Sequence, residues 1–225
     1  NWLEASYFYY RPSDLIWNNT RGHYLDKGFN VKFKYKPKKN NLPSLAIGFD
    51  DFAVTDLNDF DFHTKKMQDF VKNNYHGEMN WLKEKIDIRK DPKNIWKGAK
   101  SAIILGMNYG PEKNPIRELK EKKKAYISIY SRRKDYHKVI KSKLKLLAKF
   151  IQEKSNAQVK VFVDTAPIME KPLAQAAGIG WSGKHTNIVS KKFGSWLFLG
   201  VILTNIVVKK KKQKKIFCGT CEKCK

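Results

Sequence analysis

Acidic residues are scarce in this 225-residue chain: 21 Asp and Glu stand against 46 Lys and Arg, a formal net charge of +25. Such a surface attracts polyanions over a Debye length, about 8 Å at physiological salt. Nucleic acid is the natural partner. A lysine-rich proteome would give the same excess, since Lys, Asn and Ile are all abundant and many lysines are scattered. Long apolar runs are missing. None reaches the roughly 18–20 residues that span a bilayer, and residues 193–208 are broken by Gly194, Gly200, Thr204 and Asn205. The first residues carry no basic patch followed by an apolar block, so no secretory signal is recognisable. Cysteine is confined to Cys218, Cys221 and Cys224, a pattern unlike a disulfide framework. No internal repeat is present. These absences lead to the expectation of a cytoplasmic protein with no membrane partner.

What is present supports a real core: 41% hydrophobic and 13% aromatic residues. The length allows one or two domains, and one large α/β domain is the simplest reading. Residues 1–41 match the rest poorly; within them, 31–40 is a basic, strand-like run ending in turn residues. Residues 47–56 read as a short strand and 63–73 as a helix with Met67, Phe70 and Val71 on one face. Residues 75–85 open with a Gly and continue with helix formers. The run 99–109 is the clearest core strand, ended by Gly110-Pro111. Residues 112–124 are charged and read as a surface loop.

Residues 135–154 form a strongly amphipathic pattern, with Tyr136, Ile140, Leu144, Leu147 and Ile151 recurring at spacings of four and three. Residues 159–163 read as a second buried strand. Residues 171–177 read as a helix, with Pro172 in its first turn and Gly178 suited to a left-handed C-terminal position. Residues 187–208 read as two strands joined around 191–194, and the lysine run 209–215 as a solvated linker. Strands alternating with helices argue for an α/β fold with a sheet flanked by helices.

The densest chemistry lies in 161–199. Asp164 follows an apolar strand, so a partly desolvated carboxyl suited to proton donation is one reading; a turn or helix-capping aspartate is the other. The segment 178–185 (GIGWSGKH) is rich in glycine and carries a lysine, and its free amides can cradle a phosphate or the amide-bearing rim of a large cofactor. It has neither the spacing of a Walker A loop nor the order of a Rossmann turn. Asp135 is placed as an N-cap. His137, two residues on, can be a base, a cofactor ligand or a surface histidine. His76 lies beside a flexible glycine and can titrate near neutral pH or simply occupy a loop. Cys218, Cys221 and Cys224 form C-x₂-C-x₂-C, the opening of a bacterial iron–sulfur run. A zinc half-site or stray surface thiols are the alternatives.

Taken together, YHGEM (75–79), the strand ending in MNY (107–109), DYH (135–137), VDTAPIMEKPLAQAAGIGWSGKH (163–185), GSWLFLG (194–200) and CGTCEKC (218–224) resemble the epoxyqueuosine reductases over residues 47–225. The resemblance implies reduction of epoxyqueuosine to queuosine at the tRNA wobble position, using cobalamin and two [4Fe–4S] clusters. It implies a cobalamin-binding catalytic α/β domain over 44–208, similar to reductive dehalogenase cores. A basic linker and the start of a ferredoxin-like iron–sulfur domain are implied over 209–225, and an extension over 1–43. It makes Asp164 the expected proton donor. It places Asp135, His137, Gly180, Trp181, Ser182, Gly183, Lys184 and His185 at the cobalamin, and Cys218, Cys221 and Cys224 on a cluster.

Expected partners are tRNA carrying epoxyqueuosine and an unidentified electron donor, with the protein a monomer. The chain ends before a fourth cysteine, so the resemblance implies a C-terminally truncated chain that completes neither cluster and is itself inactive. Residues 131–134 (SRRK) replace the family's usual small residues and make that region more basic. The alternatives are another cobalamin and iron–sulfur reductase acting on a small molecule, or an inactive fragment that binds only cobalamin or RNA.

Overall fold

The apolar run at 99–109 becomes the inner strand β2 of a four-stranded sheet. The computed structural model describes residues 48–58, 61–112, 114–208 and 217–222. The readings of 1–43 as an extension and of 209–215 as a linker, and the third cysteine, Cys224, lie outside them. In chain order the elements are β1 (Asp51–Asp56), α1 (Asp61–Lys72), α2 (Asn80–Glu84), α3 (Ile86–Lys90), β2 (Ser101–Asn108), α4 (Tyr136–Ser155), β3 (Val159–Phe162), α5 (Glu170–Ala177), β4 (Trp181–Ser182), β5 (Ile188–Val189) and β6 (Leu197–Thr204).

The sheet order is β1-β2-β6-β3, and every neighbouring pair is antiparallel. Antiparallel sheets often leave one face to water and then alternate apolar with polar. This one does not, because both faces are covered. Residues of odd and even register sort into two cores. Phe52, Val54, Ile103, Leu105 and Ile202 pack with Ile140, Leu144, Leu147 and Ile151 of α4. Ala53, Ala102, Ile104, Val201 and Leu203 pack with Leu173, Ala174 and Ala177 of α5. A strand buried on both faces is apolar on both, which is why Ala102–Leu105 of β2 read as a continuous hydrophobic run; the buried Ser101 at its start accepts the Val208 N–H.

Helix α4 keeps the predicted stripe of Ile140, Leu144, Leu147 and Ile151 buried. The Asp135 carboxylate caps it by accepting the His137 N–H at 3.0 Å, and Asn156 ends it in the left-handed conformation, φ 53°. Helix α5 ends on Gly178, also left-handed at φ 85°, as the sequence leads one to expect. Its small residues let it lie close to the sheet.

One strand reading needs correction: the buried strand read over 159–163 is the edge strand β3, Val159–Phe162, which is only half buried, with Lys160 exposed; among the described residues only β6 flanks it. The two strands within 187–208 belong to different sheets. β5 pairs with β4 as a small hairpin, while β6 runs the full length of β2. The link between them is a turn closed by mutual Ser190–Gly194 backbone bonds.

Gly200 of β6 lies close against α4. A Cβ there would lie 3.0 Å from Ile140 Cγ2 and 3.0 Å from Leu144 Cδ1. Gly200→Ala should therefore overpack the core and cost about 1–3 kcal/mol. Urea unfolding checks this: the midpoint drops with an unchanged slope. An unchanged midpoint would mean that α4 moves away freely.

Candidate active site

The sheet's antiparallel order brings three chain segments to one end: the finish of β2, the start of β6 and the finish of β3. The N-terminus of α4 joins them. Between them and the start of α5 lies a cleft of about 720 Å³, lined by Tyr109, Tyr136, Asp164, Glu170, Asn187 and Phe198 among others. One wall is a column of stacked rings. Tyr109 stacks on Phe198 at 4.2 Å between centroids. Phe198 stacks on Tyr136 at 4.0 Å and 4°. Tyr136 stacks on His137 at 4.0 Å. This wall is built from residues far apart in sequence. The sequence reading used Tyr136 as a core position and quoted Tyr109 and Phe198 only inside motifs.

Asp164 sits in the turn that follows β3, in the left-handed region at φ 54°. Its Oδ2 accepts a hydrogen bond from the Tyr136 hydroxyl at 2.6 Å. His137 Nε2 stands 3.6 Å from the same oxygen, and the other ring nitrogen, Nδ1, is 2.8 Å from Asp135 Oδ1. The run Asp135–His137–Asp164–Tyr136 is thus one connected polar group at the mouth of the cleft. Asp135 is held below the ordinary carboxylate range, first by its hydrogen bond with His137. The Tyr136 hydroxyl is pushed well above the ordinary tyrosine value, by burial first and then by Asp164.

Of the two sequence readings of Asp164, a partly desolvated carboxyl or a turn aspartate, the structure gives the turn: its side chain is 63% exposed, because the preceding strand is an edge strand and the turn faces the open cleft. The shielded acid is Glu170, in the first turn of α5. Its Oε1 accepts the Asp164 backbone N–H at 2.7 Å. Burial, with the neighbouring Asp164 charge adding to it, pushes Glu170 up to about 7; the Asp164 N–H and His137 act against the rise. Sequence reasoning missed Glu170. The available signal was the single carboxylate of helix α5, six residues after Asp164.

The glycine-rich segment 178–185 builds the β4–β5 hairpin. Gly180 packs its α-carbon against the Val189 carbonyl so closely that any Cβ would collide with it. Ser182 N–H donates to Gln175 Oε1 at 2.7 Å, and Asn187 N–H donates to His185 Nδ1 at 3.1 Å. Gly183 crowds the His185 ring. Two side chains of the hairpin reach the cysteine segment. Trp181 Nε1–H points at Cys218 Sγ, 3.2 Å away, and Lys184 Nζ donates to the Cys221 carbonyl at 2.8 Å. Phe217 meets Trp181 edge-on at 5.1 Å. Thr186, Asn187 and Ile188 of the same hairpin line the cleft. One short hairpin therefore borders both the cleft and the cysteines.

Cys218 and Cys221 are free thiols. Among the described residues no group of three or more His, Cys, Asp or Glu is arranged to hold a metal. Two described thiols do not amount to a cluster site. Also among them, no helix is long and apolar enough to cross a membrane. His76 lies in the turn between α1 and α2, as the loop reading has it, but is buried there at 4% exposure, with no partner for its Nδ1 among the described residues. Arg132, in the basic 131–134 stretch, is engaged by Glu118 at 2.6 Å and by the Ile127 carbonyl at 2.7 Å.

Residues 89–165 match the family described as epoxyqueuosine reductase QueG, DUF1730. An epoxyqueuosine reductase of Prochlorococcus marinus is 37% identical over 191 residues, covering 83% of this chain and 59% of that protein. The chain is similar to the epoxyqueuosine reductases over most of its length. The structure of the Streptococcus thermophilus epoxyqueuosine reductase superposes with a TM-score of 0.65 at 29% identity, over 79% of this chain and 48% of that one. A second epoxyqueuosine reductase structure, solved with an epoxyqueuosine-modified tRNA-Tyr stem loop, gives a TM-score of 0.63 at 27% identity. It covers 79% of this chain and 47% of that one. The chain thus spans about half the length of these relatives. The mixed α/β fold, with its antiparallel sheet and flanking helices, is that of the epoxyqueuosine reductases.

Proposed function

We propose that this chain carries the catalytic part of an enzyme that reduces epoxyqueuosine to queuosine in tRNA, with cobalamin as cofactor. The observation that carries the reading is Asp164, turned into an aromatic-walled cleft and held there by Tyr136, beside His137. Its support from outside the site is the match to epoxyqueuosine reductases, one of them solved with a modified tRNA stem loop. In this reading 44–208 form the cobalamin-binding domain and 209–225 the linker and the start of a ferredoxin-like domain. Cys218, Cys221 and Cys224 are cluster ligands there.

The cleft suits a corrinoid by the chemistry of its lining. The edges of the stacked Tyr109, Phe198 and Tyr136 rings offer an apolar wall, and Thr186, Asn187 and Ser195 offer polar groups for amide side groups. The cofactor supplies the electrons for opening the epoxide; the protein supplies position, insulation and protons. Opening the epoxide leaves an anionic oxygen that must be protonated before water is lost to give the alkene. Asp164 is the acid for that oxygen, and Tyr136 fixes its carboxyl. The +25 charge suits tRNA, whose phosphates dominate affinity. The modified base leaves its stack to enter the cleft, as bases do for other modifying enzymes.

An anaerobic titration of the chain with cobalamin tests the cofactor half of this reading. Saturable binding with a shift of the corrin bands is the expected result, and turnover of epoxyqueuosine-tRNA by the complete protein is the next step. If the complete protein does not bind cobalamin either, the cofactor assignment falls.

A further inference from the structure

We propose that Glu170 is a positioning residue: its carboxyl locks the backbone of Asp164 in the left-handed turn that presents the Asp164 side chain to the cleft. This rests on the reading of Asp164 as the acid. Aspartate is an uncommon occupant of that backbone region and needs local support to stay there. Among the described residues with a positive φ that are not glycine, Asp164 and Thr186 line the cleft, and Asp164 alone of the two carries a carboxyl group. Its N–H lies beyond the last residue of β3, so the sheet ladder does not hold it. The partner instead is Glu170 Oε1 at 2.7 Å, six residues on and anchored to the sheet through α5. A second strut reaches the side chain: the Tyr136 hydroxyl on Oδ2. Backbone and side chain of Asp164 are thus gripped from two different helices.

The role of Glu170 is geometric before it is electrostatic. Its adjacent lysine, Lys171, donates to Asn187 Oδ1 at 2.8 Å, so the neighbouring cation serves the hairpin. The titratable groups that act on Glu170 are Asp164 in the turn and His137 at the head of α4, and Glu170 in turn acts on Tyr136. Glu170 exchanges its proton near neutrality. An ionised carboxylate grips an N–H about twice as strongly as a neutral acceptor. The lock therefore tightens as pH rises through about 7.

Amide hydrogen exchange at Asp164, measured on the full chain from about pH 5.5 to 8.5 and corrected for intrinsic base catalysis, tests this without any cofactor. The parent should show protection that increases across the range. Glu170→Gln keeps an oxygen acceptor, so protection should persist but lose its pH dependence. Glu170→Ala should exchange at least about ten-fold faster. Equal exchange in the parent and Glu170→Ala overturns the proposal, as does a Gln variant that keeps the parent's pH dependence. If the Ala variant does not fold, the Gln comparison decides alone.

In the complete enzyme, Glu170→Ala should lower kcat about ten-fold or more with KM unchanged, and Glu170→Gln should restore most of it. A loss in KM alone would count against positioning. If Asp164→Asn leaves turnover intact, the acid reading falls, and the exchange data still decide whether Glu170 holds the turn.

Discussion

Asp164→Asn in the complete enzyme should lower epoxyqueuosine turnover by roughly 10²–10⁴-fold, the range that a positioned general acid contributes. The cobalamin titration should be unchanged. Asparagine is chosen for physical reasons. It tolerates the left-handed conformation that Asp164 adopts at φ 54°. It keeps an oxygen for the Tyr136 hydroxyl, now 2.6 Å from Oδ2, and the backbone N–H that Glu170 holds. What it lacks is a transferable proton of suitable acidity. The loss should therefore appear in kcat, with KM nearly constant. Normal queuosine formation by this variant would remove Asp164 from the chemistry, and attention would pass to Tyr136 and His137, which border the same point.

Much of the fold is legible in the sequence because burial leaves a periodic trace. The stripe of Ile140, Leu144, Leu147 and Ile151 gives α4, and the mostly apolar run at 99–109 gives β2. Strand partnership leaves no such trace. Residues 187–208 contain two strands as read, yet β5 joins β4 and β6 joins β2; hydrophobicity records that a segment is buried, not which strand lies beside it. The same limit explains the edge strand β3. Its Val161 and Phe162 look like core residues, but the strand is covered on one side only.

The site divides in a similar way. Asp164 and His137 are visible because a polar residue interrupts or opens an apolar pattern. Glu170 is hidden because a glutamate in the first turn of a helix is the ordinary choice for favourable interaction with the helix dipole. Only the fold brings it back onto the Asp164 turn and withdraws it from water. The aromatic wall is hidden for another reason: Tyr109, Tyr136 and Phe198 each suit the core singly, and their stacking depends on three elements converging at one end of the sheet. Residues 178–185 read as a cofactor cradle, and the structure places Trp181 and Lys184 of that segment on the cysteine segment. A hairpin touching both is a short through-protein link between cleft and thiols.

Glu170 also predicts the pH dependence of stability. Its ordinary value of 4.5 rises to about 7 in the folded chain. Between those two values the folded state holds a proton that the unfolded state has released. Stability from this group therefore falls as pH rises from about 4.5 to about 7 and is level on either side. A rise of that size corresponds to about 3 kcal/mol. The exposed acid Asp135 acts in the opposite sense, because its lowered value makes it stabilising above the ordinary carboxylate range. The Glu170 share is thus read as a difference. Urea unfolding of the parent and of Glu170→Gln, at about pH 4 and about pH 8, should show the variant gaining on the parent by about 2–3 kcal/mol at the higher pH. A neutral amide has no charge to desolvate, so it escapes the penalty that burial imposes on the carboxylate. Parallel stability curves would mean that Glu170 ionises in the fold as freely as in water.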